Sequence, residues 1–168
     1  MAANHVSTAR SGHSGVSTEK LLSTAHGFID ALSSLDVDRM LALRTSDCQQ
    51  VILPASLGRE PLSNEEFRAM YSGYLTKAKF SDYTIKVLSS AVDPIQKKVV
   101  LYGKGEATTL AGPFKSEYVF LLTMVEENND EIRISKVEEF VDSNLSIQEG
   151  GTFDVVLLQR GIEGATLD

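Results

Sequence analysis

The last long apolar run of the sequence places a carboxylate between two valines. Val137, Glu139 and Val141 fall on one side of a strand with its period of two residues. Burial disfavours the charged form of a carboxyl group and raises its pKa, which suits a general acid or base near neutral pH. Glu139 is therefore the leading candidate for proton transfer, and the alternative is a salt-bridged carboxylate at a pocket rim.

The same run changes phase near Ser135 and Lys136. Ile132 and Ile134 share one phase of the strand, whereas the apolar residues that follow share the other. This change predicts a β-bulge, an irregularity that often re-aims side chains next to a site. Glu138, on the opposite phase from the candidate acid, is expected to face solvent or a partner subunit.

His26 is the only histidine that lies outside the N-terminal 15 residues. On a helical wheel it falls at the edge of an apolar arc, with Asp30 four residues later on the same flank. A histidine oriented by a carboxylate can shuttle protons near physiological pH. The alternative is a boundary histidine that only bonds to a neighbour.

Arg44 lies between a short predicted helix and the first predicted strand. Its guanidinium stays charged, and it can hold a substrate carboxylate or a developing enolate oxygen. The alternative is a structural arginine favoured by the dipole at the end of the helix.

Three further polar side chains, those of Tyr102, Lys104 and Glu106, share one face of a strand-like run. They are candidates for substrate binding, and the alternative is a solvated face or a contact between subunits.

The composition excludes several classes of function. The 168-residue chain has a net charge of −7, with 23 acidic against 16 basic residues, which argues against nucleic acids and anionic membranes as partners. No apolar run reaches the roughly 18 residues needed to span a bilayer, and residues 1–15 lack the apolar core of a secretory signal. Cys48, the single cysteine, cannot form an internal disulfide, and no Cys/His cluster has zinc-site spacing. We expect a cytoplasmic protein without a bound metal.

The sequence predicts N-terminal helices followed by strands as the elements that position these residues. Apolar spacing predicts a helix over Thr18–Ser33, a short second helix capped by Asp36, and a third helix beginning at Ser63. Period-two patterns predict strands over 48–53, 83–92, 98–109, 114–125 and 132–142. This order indicates an α+β fold in which N-terminal helices pack in a curved, mostly antiparallel sheet whose mouth is a natural pocket.

The chain is expected to form one domain with a segment at each end. Residues 1–16 are predicted to be a flexible tail, and residues 17–143 to be the domain. Residues 144–168 are predicted to be an extension that serves as a pocket flap or a dimer contact.

Three stretches of the sequence carry a family resemblance. They are Leu43-Arg44-x-x-x-Cys48 with Leu53-Pro54-Ala55-Ser56-Leu57-Gly58, then Asn64-Glu65-Glu66-Phe67, and last Glu117-Tyr118-Val119-Phe120 with Val137-Glu138-Glu139-Phe140-Val141-Asp142-Ser143. In this order and spacing the chain resembles the SnoaL-like isomerases of the NTF2-like superfamily that occur in fungal meroterpenoid and aromatic polyketide (xanthone-type) gene clusters.

The resemblance implies an NTF2-like cone, an enzyme without metal or organic cofactor, and a homodimer acting on a small polyketide or terpenoid. It implies a pocket acid at Glu139, and it makes the helix of His26 a wall of the pocket. Relatives often carry a histidine where this chain has Gln50, which can hydrogen-bond but cannot shuttle a proton. Tyr74 and Tyr118 are expected to line the pocket.

Glu66 has two competing interpretations. The resemblance favours it as a site residue. The pattern Ser63-Asn64-Glu65-Glu66 is also a capping box, in which Glu66 bonds back to the amide of Ser63 and needs no catalytic role.

The favoured mechanism is an acid–base isomerisation. Glu139 or His26 removes a proton next to a carbonyl, and Arg44, with Gln50 or Lys104, holds the enolate oxygen. Reprotonation at another carbon then shifts a double bond or rearranges a ring.

Two alternatives stay open. Lys104 and Glu106 are similar in spacing to the Arg-x-Asp strand of limonene-type epoxide hydrolases, and with Glu139 they would position water in a dehydratase, cyclase or epoxide hydrolase. The other alternative is a non-catalytic module whose cone holds a metabolite or a protein.

Overall fold

Three helices pack against a five-stranded sheet in the part of the chain that the computed structural model describes, residues 16–78, 80–109, 112–128 and 130–142. The side chains of residues 74–78, 109 and 112 are not described. The helices are α1 (Thr18–Ser33), α2 (Val37–Ala42) and α3 (Asn64–Ala78), and the strands are β1 (Arg44–Leu53), β2 (Ser81–Asp93), β3 (Lys98–Thr109), β4 (Gly112–Glu126) and β5 (Ile132–Phe140). The predicted tail up to residue 15 and the predicted extension lie outside the described residues.

The strands lie in the order β1-β5-β4-β3-β2. Neighbouring strands from β2 to β5 pair antiparallel, whereas β1 runs parallel to β5 at the edge of the sheet. The prediction of an α+β fold with a mostly antiparallel sheet is therefore confirmed.

Helix α1 has the bounds that the apolar pattern predicts. The side chain of Ser17 caps it by accepting a hydrogen bond from the amide of Lys20 at 3.1 Å. Its buried stripe, which includes Leu21, Phe28 and Leu32, packs against the inner face of the sheet. This helix supplies one wall of the core.

The folded region begins earlier than the sequence predicts. Val16, assigned to the flexible tail, is 6% exposed and packs in the hydrophobic core. Its single apolar side chain precedes the helix cap and has no periodic neighbours, so the sequence pattern alone does not reveal its burial.

The predicted β-bulge of the last strand is present at Ser135. Strand β5 pairs with β4 up to Ile134 and again from Lys136, which leaves Ser135 as one extra residue. Its hydroxyl donates to the carbonyl oxygen of Thr123 at 3.2 Å. Because of the extra residue, the apolar side chains before and after it share the helix-facing side of the sheet, and Glu139 points to that side as well.

Strand β1 begins at Arg44 rather than at the predicted Cys48. Its pairing with β5 is irregular between Arg44 and Gln49, where the polar residues Ser46 and Asp47 are exposed. Those residues hide the start of the strand from an apolar pattern. Arg44 is consequently a buried strand residue and not the end of a helix.

Within the described residues, no helix combines the length and the apolar character that crossing a membrane requires.

Candidate active site

A pocket opens between helices α1 and α3 and the inner face of the sheet. Most of its wall is aromatic or aliphatic and comes from Phe28, Leu32, Phe67, Met70, Phe80 and Val141. A largely apolar cavity with a few polar groups is the usual form of a small-molecule site.

Six side chains with polar groups interrupt this apolar wall. They are Gln50, Arg59, Tyr71, Tyr83, Tyr118 and Glu139. Among the described residues that line the pocket, Glu139 carries the one carboxylate and Arg59 the one cationic group.

A buried hydrogen-bond chain joins Arg44 to the pocket acid. Nη2 of Arg44 donates to Oε1 of Gln50 at 2.7 Å, and Nε2 of Gln50 donates to Oε2 of Glu139 at 2.8 Å. An amide has one accepting and one donating end. The cation therefore fixes the orientation of the amide, and the amide presents its N–H to Glu139.

Arg44 lies behind this chain and is not part of the pocket lining. Its side chain is 2% exposed, and its guanidinium carbon lies 4.0 Å from the ring centroid of Phe67 and 5.5 Å from that of Phe28. Burial lowers the pKa of Arg44 to about 10, with the charges of Cys48 and Glu139 opposing the shift. The group is thus still a cation at neutral pH, held by one amide and two aromatic faces.

Glu139 is partly buried and titrates near neutrality. Its removal from water raises the pKa from 4.5 to about 7, against the opposing effects of the Arg44 charge and the Gln50 hydrogen bond. Both protonation states are therefore populated at physiological pH, which is what a group that accepts and then returns a proton requires.

The three pocket tyrosines keep their protons. Burial is the main cause of a raised pKa in Tyr71, Tyr83 and Tyr118, and the negative charge of Glu139 adds to it. The hydroxyls of Tyr83 and Tyr118 are 3.5 Å apart. These groups can donate hydrogen bonds to a ligand but do not serve as bases.

His26 does not reach the pocket, contrary to the sequence-based expectation. It is exposed on α1 and is not part of the pocket lining. The helix turns Ala25, Phe28 and Ile29 toward the sheet, and the opposite edge of the apolar arc, where His26 lies, faces solvent.

Glu66 also lies outside the pocket, on the exposed first turn of α3. Its Oε2 accepts hydrogen bonds from the amide of Ser63 at 2.8 Å and from the hydroxyl of Ser63 at 2.7 Å. These bonds lower the pKa of Glu66. The capping box is confirmed, and it accounts for this glutamate structurally.

The predicted group of Lys104, Glu106 and Glu139 is not assembled. Lys104 and Glu106 do share a face with Tyr102, but this is the outer face of the sheet. There Lys104 pairs with Glu117 at 2.7 Å, and the hydroxyl of Tyr102 donates to the same carboxylate at 3.0 Å.

Lys104 and Glu106 face outward because other residues occupy the inward positions of β3. Glu106 pairs with Lys115 at 3.3 Å on the outside, while the inward positions of β3 belong to Leu101, Gly103 and Gly105. Two glycines present no apolar side chains, so the sequence pattern does not identify the buried phase.

Arg59 and Tyr83 are polar pocket residues that the sequence pattern does not predict. Arg59 lies in the loop after a short 3-10 turn (Ala55–Leu57), where no periodicity marks its orientation. Tyr83 shares the phase of the half-buried Ile85 and Val87, and that alternation is the signal that would have identified it. The predicted pocket role of Tyr74 concerns a side chain outside the described set, whereas Tyr118 lines the pocket as expected.

Across the described residues, no three His, Cys, Asp or Glu side chains are grouped closely enough to hold a metal ion.

Comparisons with known proteins identify relatives of the chain, although no family model matches it. Austinoid biosynthesis clusters protein J of Emericella nidulans is 34% identical over 127 residues, which cover 74% of this chain and 75% of that protein. The solved structure of AusH from Aspergillus nidulans has a TM-score of 0.67 at 29% identity and covers 76% of this chain and 86% of that one.

Two further structures support the fold. BvnE pinacolase from Penicillium brevicompactum has a TM-score of 0.68 at 26% identity, over 76% of this chain and 86% of that one. An NTF2-like protein from Burkholderia pseudomallei has a TM-score of 0.59 at 14% identity, over 77% of this chain and 95% of that one, which shows the fold alone.

Helices packed on a mostly antiparallel sheet, with a pocket between them, give the chain the fold of the NTF2-like class. Within this class, the chain belongs to the SnoaL-like family that includes the austinoid cluster proteins. The resemblance carried by the three sequence stretches is therefore confirmed.

Replacing Glu139 by Gln should change the pH dependence of stability. The folded carboxyl has a pKa of about 7 against 4.5 for an ordinary one, so the folded state binds more protons between these values. Wild-type stability therefore falls as pH rises through this window, by at most about 3 kcal/mol. Glu139→Gln lacks this loss. In urea unfolding, the free energy of unfolding of the variant relative to that of wild type should therefore be higher at pH 8 than at pH 5. Parallel curves for the two proteins would contradict the assignment.

Replacing Gln50 by Met should raise the pKa of Glu139 further. The substitution removes the hydrogen bond that favours the carboxylate, and it leaves Arg44 without its amide partner, at about 1–3 kcal/mol of stability. NMR titration of the Glu139 side-chain carbonyl carbon measures the shift. Gln49→Met, on the exposed neighbouring position, is the matched control, and an unchanged Glu139 titration in Gln50→Met would refute the chain of hydrogen bonds.

Proposed function

We propose that this protein is a cofactor-free acid–base isomerase that acts on a polyketide or meroterpenoid intermediate of fungal secondary metabolism. The single observation that carries the proposal is Glu139, a carboxyl group with a pKa of about 7 in an apolar pocket. Such a group suits proton abstraction from a carbon acid at physiological pH.

The proposed reaction consists of two proton transfers. The Glu139 carboxylate accepts a proton from a carbon next to a carbonyl, and the electron pair of the broken C–H bond forms the enolate. In a substrate with a β,γ double bond this electron pair is shared with the γ carbon. Protonated Glu139, whose O–H proton exchanges with solvent, then protonates the γ carbon, and the carbonyl re-forms. The net change is a shifted double bond, and no atoms are gained or lost.

The hydrogen-bond chain limits which oxygen of Glu139 does this work. Oε2 already accepts from Gln50, whose Nε2 can only donate. A proton on Oε1 leaves this hydrogen bond intact, so Oε1 is the favoured carrier of the proton. Gln50 and Arg44 act as positioning residues behind the acid, not as binders of the enolate.

The positive charge at the pocket wall comes from Arg59 and not from the predicted Arg44. Arg44 is buried behind Gln50, whereas Arg59 lines the pocket itself. A guanidinium at the wall favours substrates with an anionic or enolisable oxygen.

The relatives support an enzyme of secondary metabolism. The austinoid proteins are named for the biosynthesis clusters to which they belong, and BvnE is named as a pinacolase. Of the alternatives, water chemistry by Lys104, Glu106 and Glu139 loses its support because the first two lie on the outer face. A non-catalytic binding module is the alternative that the following experiment separates.

Deuterium incorporation from heavy water tests the proposal. A panel of polycyclic ketones with a β,γ double bond is incubated with the protein, and mass spectrometry follows deuterium at carbon while absorbance follows the conjugated product. Glu139→Gln should slow both at least about 100-fold. The matched control is Glu138→Gln, since Glu138 lies next to the acid but pairs with Lys136 on the outer face at 2.8 Å.

Two outcomes would contradict the proposal. An undiminished rate in Glu139→Gln removes this residue as the base. Ligands that bind to the wild type with neither deuterium uptake nor conjugated product favour the binding module instead.

We also propose that two copies pair through the outer face of the sheet. Phe140 is 43% exposed there and lies in register with Leu53 on β1 and Val119 on β4. Two ion pairs, Lys104–Glu117 and Lys136–Glu138, flank this apolar strip. Because the surface carries both positive and negative groups, it can face its own copy about a two-fold axis.

Light scattering after size exclusion tests the dimer. Phe140→Asp should shift the protein from the mass of two chains to that of one, because it places a charge in the apolar strip. Ile95→Asp, at a residue that is 92% exposed in the turn after β2, should leave the mass unchanged. A wild type that runs as one chain would refute the proposed pairing.

A further inference from the structure

We infer that the paired hydroxyls of Tyr83 and Tyr118 form a binding subsite for the substrate oxygen that becomes negative, and that Gly105 exists to make room for this pair. The inference rests on the proposed function, since it identifies what holds the enolate that Glu139 creates. It assigns a role to Gly105 of β3, which no other part of the mechanism uses.

The two tyrosines come from strands that are not neighbours. Tyr83 lies on β2 and Tyr118 on β4, with β3 between them. Both side chains cross the inner face of β3 and bring their hydroxyls within 3.5 Å of each other in the pocket. Any side chain on that part of β3 would occupy the same space.

Gly105 is the residue at that crossing. A Cβ atom added to it would lie 2.8 Å from Cε2 of Tyr118, and 3.5 Å from both Cε2 and the hydroxyl oxygen of Tyr83. The first distance is too short for any real contact, so one ring would have to move. An alanine at position 105 is therefore incompatible with the observed arrangement of the two hydroxyls.

The pair has a proton to spare for a ligand. Two hydroxyls contain two protons. The bond from Tyr83 to Tyr118 uses one of them, and Tyr118, which also has a hydrogen bond with Ser116, carries the other. The length of the bond between the tyrosines, 3.5 Å, exceeds the usual 2.7–2.8 Å of an O–H···O bond, so this bond is weak. A substrate oxygen near both groups can accept a hydrogen bond from the hydroxyl of Tyr118. It can also accept one from Tyr83 when the weak bond between the tyrosines breaks.

The rings are held in place by aromatic neighbours. Phe120 stacks on Tyr118 with centroids 5.5 Å apart, and Phe80 lies 5.5 Å from Tyr83. Donors that are fixed before the reaction stabilise a developing charge without reorganisation.

The charge on Glu139 supports the same assignment. Glu139 lines the same pocket, and while ionised it opposes any anion there. When it accepts the proton from carbon it becomes neutral, at the moment when the substrate oxygen becomes negative. The repulsion between Glu139 and the substrate oxygen is thus absent when the tyrosine hydroxyls bind that oxygen. The ligand class is an enolisable ketone, or a phenol that imitates its enolate.

Titration with 2-naphthol tests the subsite without turnover. This phenol imitates an enolate, and its absorbance and fluorescence report binding and ionisation. Tyr118→Phe retains the ring and removes the donor, so it should weaken binding about 10- to 100-fold. The matched control is Tyr102→Phe, a tyrosine of the same sheet whose hydroxyl bonds to Glu117 on the outer face, and it should bind as wild type does.

Gly105→Ala tests the positioning role. It should weaken 2-naphthol binding to a similar extent although every donor is still present, because a tyrosine ring is displaced. Tyr83→Phe provides a second measurement that does not depend on folding of the glycine variant, and it should also weaken binding. The inference is overturned when wild type does not bind 2-naphthol, or when Tyr118→Phe and Tyr83→Phe both bind it unchanged.

Glu139→Gln separates this inference from the proposed function. Its neutral amide replaces the protonated acid, so 2-naphthol should bind at least as tightly as to wild type while deuterium exchange is lost. Exchange that survives in Glu139→Gln, together with tyrosine-dependent naphthol binding, would refute the base and keep the subsite. Exchange that is lost in Glu139→Gln, together with naphthol binding that does not depend on the tyrosines, would refute the subsite and support Glu139 as the base.

Discussion

The pocket depends on the hydrogen bond between the buried cation Arg44 and the amide of Gln50. A cation removed from water has to be compensated by hydrogen bonds, opposite charge or aromatic faces. Here the rings of Phe67 and Phe28 and one oxygen of Gln50 provide that compensation. Because the amide is held by its oxygen, its NH2 end is directed to Glu139 and donates a hydrogen bond to it. One buried charge thus determines the orientation of the amide, the preferred proton position on the acid, and part of the acid's affinity for protons.

Two departures from regular strand structure complete this arrangement. The extra residue at Ser135 lets β5 present apolar side chains and Glu139 on the same inner face. The missing side chain at Gly105 lets Tyr83 and Tyr118 approach each other across β3. A regular, fully substituted sheet would hold neither group in the pocket. The polar cluster is therefore a product of local irregularity within an otherwise ordinary antiparallel sheet.

Sequence reasoning succeeded where the determining pattern is local. The bounds of α1, the capping box at Ser63 and the phase change that exposes Glu139 to the pocket all follow from short-range spacing. It failed for His26, because the wheel places this residue at an edge and only packing on the sheet decides which edge is buried. It failed for Lys104, because glycines on the inner side of β3 leave no apolar phase to read. Arg59 lies in a loop, where spacing carries no orientation.

The edge strand has one more feature with an evolutionary consequence. The backbone amide and carbonyl of Gln50 exchange hydrogen bonds with Leu62, at 2.9 and 2.8 Å. After β1 ends at Leu53, the chain forms a loop that contains Arg59 and then returns to this bridge. Gln50, at the bridge, is also the residue that hydrogen-bonds to Glu139. Loop closure is only weakly sensitive to length. A loop of different length or charge is compatible with the same position of Glu139, so the charge at the pocket wall and the environment of the pocket carboxyl group can vary independently.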